Sequence, residues 1–180
     1  MAHIKLNDVS YAYPGTAANV LEQVSLDIAD GEAHALLGAS GSGKTTLLNL
    51  LSGLASPGQG SIMFNDTDVS VLNARQRHVA MVFQFPVLYE SLSVLANLEF
   101  AARNQGIAAA ECLKRARRVA DELDFSSVLD ERPANLSLFQ KQLVAIGKAL
   151  MQQDLDLVLL DEPLTAVEPS AKWRLRQVLK

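Results

Sequence analysis

Eight consecutive residues constrain this chain more than any other feature: Gly38-Ala39-Ser40-Gly41-Ser42-Gly43-Lys44-Thr45 fit the pattern G-x-x-x-x-G-K-[ST]. The pattern carries chemistry where a strand runs into it and a helix runs out of it. Both are expected here. His34-Ala35-Leu36-Leu37 reads as the strand, and from Lys44 apolar residues recur at Leu47, Leu48, Leu51 and Leu54, the spacing of one helical face. In such a loop, glycines let successive N–H groups curl inward towards phosphate oxygens, and the helix N-terminus adds partial positive charge. Lys44 would bridge the β- and γ-phosphates, and the Thr45 hydroxyl would bind Mg²⁺.

The surrounding pattern predicts an α/β chain. Ile4, Leu6 and Val9, a Pro14-Gly15 turn, then Leu21, Val24, Leu26 and Ile28 read as an opening antiparallel sheet. Gly53 and Ser56-Pro57-Gly58 stop the helix after the glycine loop, and Ser61-Ile62-Met63-Phe64 reads as a strand before an Asn65-Asp66 turn. Val79 to Phe83 and Leu155 to Leu160 are apolar runs short enough for strands buried on both faces. Between them, from Leu92 to about Leu150, alanine, leucine, lysine and arginine dominate, predicting three or more helices interrupted near Gly106 and Pro133. Residues 170–180 read as a further helix.

Asp161 and Glu162 follow the second apolar run and so fall at the carboxyl end of a strand, where open α/β sheets gather ligand-binding groups. Asp161 suits an outer Mg²⁺ position, and Glu162 is placed to polarise a water for in-line attack on the γ-phosphate.

Composition narrows the function classes. With 180 residues, 49% of them hydrophobic and 20% charged, the chain should bury a core and has little room for a second independent one. A formal charge of −4 disfavours broad capture of nucleic acid, and Lys114, Arg115, Arg117 and Arg118 read as a solvated helix face beside Glu111, Asp121 and Glu122. The single cysteine, Cys112, can close no internal disulfide, and no stretch approaches the roughly 20 apolar residues of a membrane span. His3, His34 and His78 lack metal-ligand spacing, and a histidine in the strand before the loop reads as packed core.

Taken together, five segments in order resemble the ATP-binding subunit of ABC transporters, across essentially the whole chain. The glycine loop resembles Walker A, with Thr46 continuing the nucleotide contacts, and Leu157-Val158-Leu159-Leu160-Asp161-Glu162 resembles Walker B with its catalytic glutamate. Gln84, after Met81-Val82-Phe83, is similar to the Q-loop glutamine, which in that family contacts Mg²⁺ and the attacking water and couples the site to the membrane partner. Tyr13 in Ser10-Tyr11-Ala12-Tyr13-Pro14 resembles the aromatic that stacks on adenine, with Tyr11 the competing candidate. The resemblance implies a P-loop NTPase core with an N-terminal antiparallel β subdomain and an inserted α-helical subdomain. One ATP-binding domain would fill residues 1–180, its core at approximately 1–88 and 151–180 and its helical subdomain at 89–150. ATP and Mg²⁺ are the implied cofactors. The implied partners are a second ATP-binding subunit arranged head to tail, transmembrane permease subunits and a separate substrate-binding protein, with the chain at the cytoplasmic face of the inner membrane.

The fifth segment departs from the family pattern Leu-Ser-Gly-Gly-Gln. Here it reads Leu136-Ser137-Leu138-Phe139-Gln140, with both glycines gone. In the family this loop meets the γ-phosphate on the opposite subunit, so Ser137 is the residue expected to act in trans. Two readings follow. The loop still docks with reduced activity, or the subunit belongs to an asymmetric heterodimer with one weakened site, the latter favoured because Leu138 and Phe139 replace residues able to adopt glycine-only conformations. A regulatory nucleotide-binding subunit and a soluble ABC-type ATPase of repair or translation are the rival classes. The first is opposed by Lys44, Thr45, Gln84, Asp161 and Glu162; the repair form of the second is opposed by the lack of a long heptad run between Gln84 and Ser137.

Pro163-Leu164-Thr165-Ala166-Val167-Glu168 aligns with the family's D-loop, with Glu168 for the usual aspartate, and with Lys172-Trp173-Arg174 resembles the carbohydrate and polyol uptake branch, glycerol-type importers included. The family's switch histidine lies beyond the next core strand and has no counterpart before Lys180, so a truncated domain with weak or absent ATPase activity on its own is expected.

Overall fold

A computed structural model describes residues 2–163 and residue 165. The expected helix over 170–180, Glu168 and Trp173 lie outside the described residues. The chain forms two compact units, one from residues up to 79 with 154–159, the other from residues 80–153 continuing at Leu160.

The first unit is built on an antiparallel sheet. Strands β1 (Ile4–Tyr11), β2 (Leu21–Ile28), β3 (Gln59–Phe64) and β4 (Thr67–Asp68) lie in the order β2-β1-β3-β4. On β1, Ile4 faces Ile28 on one side and Phe64 on the other, and Leu6 faces Leu26 and Ile62. The inward face then changes parity, from Ile4 and Leu6 to Val9, all three buried. An irregularity between Leu6 and Val9, with Asp8 at φ 49°, supplies the extra residue that a one-position shift of the pleat requires.

Helix α1 (Lys44–Ser52) follows the glycine loop and buries Leu47, Leu48, Leu50 and Leu51. It ends where expected, at Gly53, whose φ of 77° is the left-handed conformation in which a Cβ costs most. Leu54, read from the sequence as part of the helical stripe, lies past that stop and is exposed. Asn49 O is taken by the N–H groups of Leu54 and Ala55, and the next two carbonyls, of Leu50 and Leu51, accept from Arg77. Its guanidinium, 1% exposed, donates to Leu50 O at 2.5 Å and Leu51 O at 3.3 Å, while Nε donates to Leu72 O at 2.8 Å and Nη2 to Ser70 O at 3.2 Å. A cation over a helix C-terminus also complements the helix dipole.

The expected strand at His34–Leu37 is not formed. No described strand pairs with it, Leu36 and Leu37 are exposed (Leu37 by 93%), and His34 is bonded to Glu32 at 2.9 Å in solvent instead of packing in a core. Four apolar-rich residues cannot hold an extended ladder conformation without a neighbour to accept their backbone groups.

Strands β5 (Val79–Val82) and β6 (Leu157–Leu160) make a two-stranded sheet. Asp156 N–H donates to His78 O at 3.0 Å near their starts and Asp161 N–H to Val82 O at 2.9 Å near their ends, so the strands run in the same direction. Their burial is partial: Ala80 and Val82 are buried on β5, but only Leu159 on β6.

The second unit is helical, with α2 (Val94–Asn104), α3 (Ala109–Glu122) and α4 (Leu138–Leu150) packed pairwise. Gly106 and Pro133 fall between helices, as their backbone preferences require. Helix α3 buries Cys112, Ala116, Val119 and Ala120 and turns Lys114, Arg117 and Arg118 to solvent, where Arg118 meets Glu122 at 3.5 Å. At Gly147 on α4 a Cβ would stand 3.0 Å from Phe125 and 3.1 Å from Val119, so the missing side chain sets how closely α4 packs. Among the described residues, no helix is long and apolar enough to cross a membrane.

Candidate functional site

In the first unit the glycine loop runs exposed from Gly38 to Ser42 and delivers the chain into α1. Gly43 caps the helix at φ 91° and has no side chain of its own to bond the N–H groups of the first turn. These are donors an anion can take. The Lys44 ammonium folds back to donate to Gly38 O at 3.0 Å and Ala39 O at 2.9 Å, while Ser42 N–H donates to Ala39 O at 3.2 Å. The loop thus closes around its own lysine. A Cβ on Gly38 would stand 2.6 Å from Ser42 Oγ, which ties that glycine to the tightness of the curl. Ala39, Ser40, Gly41 and Thr45 are exposed, and Thr46 is buried in the first turn.

Tyr13, directly before the expected Pro14-Gly15 turn, reaches this helix. Its hydroxyl lies 2.9 Å from Thr46 Oγ1, and its ring stands edge-on to Tyr11 at 5.2 Å. Tyr13 is 41% exposed and Tyr11 is half-buried behind it. An aromatic face beside the loop is what an adenine ring needs, and Tyr13 has the more accessible one.

In the second unit, Gln84 and the acidic pair stand at the carboxyl ends of paired strands. Gln84 follows β5 by two residues and is half-buried; Asp161 follows β6 directly and is tied to β5 through Val82. Glu162 is exposed at φ 46°, a conformation that costs a non-glycine residue on the order of 1–2 kcal/mol. Thr165 holds it there, its N–H donating to Glu162 O at 3.0 Å and its hydroxyl to Glu162 Oε2 at 3.0 Å. Thr165 belongs to the segment that resembles the D-loop and has no expected role there; its hydroxyl three residues after a carboxylate is the sequence signal for this pairing.

Ser137 is the N-cap of α4. Its Oγ accepts from Gln140 N–H at 3.2 Å, and Gln140 Oε1 accepts from Ser137 N–H at 2.9 Å, a reciprocal capping box. Leu138 and Phe139 are therefore the first two residues of a right-handed helix, and neither has positive φ. This corrects one premise of the sequence reading: the altered loop needs no glycine-only backbone. What remains is bulk, with Leu138 42% exposed.

The glycine-capped helix start, the folded-back ammonium and the absent Cβ at Gly38 suit a polyphosphate. In the first unit Thr45 carries a hydroxyl, and in the second Gln84 and Asp161 carry amide and carboxylate oxygens, each a hard donor of the kind Mg²⁺ takes.

The fold is that of an α/β P-loop protein. Residues 21–165 match the family model described as ABC transporter, and the chain belongs to that family. It is 36% identical over 176 residues to the sn-glycerol-3-phosphate import ATP-binding protein UgpC of Chromobacterium violaceum, covering 98% of this chain and 47% of that protein. It is 38% identical over 168 residues to the diacetylchitobiose uptake system ATP-binding protein MsiK of Streptomyces coelicolor, covering 93% of this chain and 44% of the relative. The chain thus spans about half the length of the curated relatives it matches. Among solved structures, it resembles the ATP-binding cassette MJ0796, a dimer in a post-hydrolysis state bound to ADP and Pi. The TM-score is 0.86 at 28% identity, over 98% of this chain and 81% of the other.

Proposed function

We propose that this chain binds Mg²⁺·ATP on the loop Gly38–Thr45 and hydrolyses it to energise uptake of a sugar- or polyol-class solute. In this reading it works with a second ATP-binding subunit, permease subunits and a solute-binding protein at the cytoplasmic face of a membrane. The observation that carries the nucleotide part is the Lys44 ammonium bonded to the Gly38 and Ala39 carbonyls at a helix start whose N-cap is glycine. Phosphate oxygens arriving there replace neutral carbonyls with charged acceptors, roughly doubling the strength of each bond. The solute class is supported by the import and uptake functions named for the two relatives.

The division of labour follows from the residues. Tyr13 offers its ring to the base. The backbone of residues 38–43 and the first turn of α1, including Thr46, holds the phosphates, and Lys44 neutralises the β- and γ-oxygens. Thr45, Gln84 and Asp161 would hold Mg²⁺, which would supply positive charge to stabilise the transferring phosphoryl group. Glu162 accepts a hydrogen bond from the attacking water and takes its proton, with its carboxylate oriented by Thr165. Ser137 and the start of α4 would meet the nucleotide held by the partner subunit.

The exposed Leu138 favours a second reading alongside the first: an asymmetric pair in which the site completed by this chain's Leu138 and Phe139 turns over poorly. Glu162→Gln tests the main reading. The variant should keep ATP and lose hydrolysis in the assembled complex; unchanged hydrolysis contradicts it.

A further inference from the structure

The segment that carries Gln84 is held from one helix at both ends. On the near side, Gln142 of α4, 0% exposed, donates from Nε2 to Phe83 O at 3.4 Å. Its Oε1 is buried with no partner among the described residues, so burying this amide costs free energy that one bond to Phe83 only partly offsets. An apolar residue would pack there at less cost. On the far side, Lys148 of the same helix donates to Val87 O at 3.2 Å and places its ammonium 4.6 Å from the centre of the Tyr89 ring. Tyr89 is itself fixed: it packs on Phe100 at 4.7 Å and exchanges hydrogen bonds with the fully buried Asn97, from N–H to Oδ1 at 2.8 Å and from Nδ2 to O at 3.0 Å.

Burial pulls the Lys148 ammonium below the ordinary lysine range, and no carboxylate pairs with it in compensation among its described contacts. Two α4 side chains thus sit at energetic cost, one on each flank of Gln84. Only Gln84, Phe85 and Pro86 lie between the two held carbonyls, and the proline ring removes further freedom from that stretch.

We propose that Gln142 and Lys148 are positioning residues for Gln84: by holding the carbonyls of Phe83 and Val87 they fix the loop that aims the Gln84 amide. This rests on the reading of Gln84 as a ligand of the metal–nucleotide complex. Neither residue touches substrate, and their effect is on how sharply Gln84 is presented.

The test uses the full chain with Lys148→Met, which keeps the stem and loses donor and charge, Lys148→Arg, which keeps both, Gln142→Leu and Gln84→Ala. Two quantities are read: amide hydrogen exchange over residues 84–89, and the preference for Mg²⁺·ATP over ATP in EDTA. Lys148→Met and Gln142→Leu should each speed exchange about tenfold, the loss of roughly one hydrogen bond, and lower the Mg²⁺ preference, with Lys148→Arg restoring both. Unchanged exchange in Lys148→Met and Gln142→Leu overturns the proposal while leaving the role of Gln84 standing. Faster exchange with a wild-type Mg²⁺ preference overturns it also, provided Gln84→Ala lowers that preference. If Gln84→Ala itself leaves the preference unchanged, the reading of Gln84 fails and the proposal falls with it.

Discussion

The Tyr13 hydroxyl lies 2.9 Å from Thr46 Oγ1, joining the loop after β1 to the first turn of the phosphate-loop helix. This bond holds the more exposed of two neighbouring tyrosines beside the loop. Tyr13→Ala is expected to weaken ATP binding by about 1–3 kcal/mol through lost stacking, while Tyr11→Ala leaves it unchanged. Tyr13→Phe should keep affinity and lose about 0.5–1.5 kcal/mol of stability. Fluorescent-nucleotide titration and urea unfolding of the three variants check both statements.

Arg77 closes the other end of the same helix with donations to the carbonyls of Leu50, Leu51, Leu72 and Ser70. Arg77→Met should strip these carbonyls of a buried charged donor, leaving Leu50 O with only the Gly53 N–H, and cost about 3 kcal/mol. Urea unfolding would register this as a fall in midpoint without a large change in slope.

Leu138 and Phe139 occupy the first turn of α4, so replacing both by glycine introduces flexibility the helix does not need. Stability should fall by up to about 1 kcal/mol per residue. On the asymmetric-pair reading, ATP turnover in the assembled complex should nonetheless rise; a rate that stays level or drops counts against that reading.

Lys148 supplies a pH prediction with a definite sign. Burial holds its folded pKa below the ordinary lysine value, so the folded state releases this proton before the unfolded one does. Between the folded and the ordinary value the unfolded chain binds more protons, and stability rises with pH. Wild type should therefore gain stability relative to Lys148→Met on moving from neutral into the alkaline range. Thermal melts of the two proteins across that window measure the difference.

Much of this was legible in the sequence for physical reasons that are local. Periodicity from Lys44, the stop at Gly53 and the breaks at Gly106 and Pro133 are decided by neighbouring residues, and the helices and turns follow them. The partners of a strand are not local. His34–Leu37 has the composition of a strand, yet among the described residues it has nothing to pair with. Likewise, nothing in an isolated arginine announces that Arg77 will meet carbonyls 26 and 27 residues away, and a lysine on a helix gives no sign that it will reach Val87 O, 61 positions back. Leu138 and Phe139 show the converse case. Their departure from the family pattern was plain, but only the capping box at Ser137 reveals that their backbone is ordinary helix.

On this reading the loop closed by Lys44 is a binding site for Mg²⁺·ATP. Its most direct test is titration of a fluorescent ATP analogue into the wild-type chain and Lys44→Ala in the presence of Mg²⁺. The charge-assisted bonds now made to Gly38 and Ala39 are available to phosphate, so the variant should bind at least about tenfold more weakly, a loss of roughly 1.5–3 kcal/mol. Equal affinity of the two proteins would contradict the account.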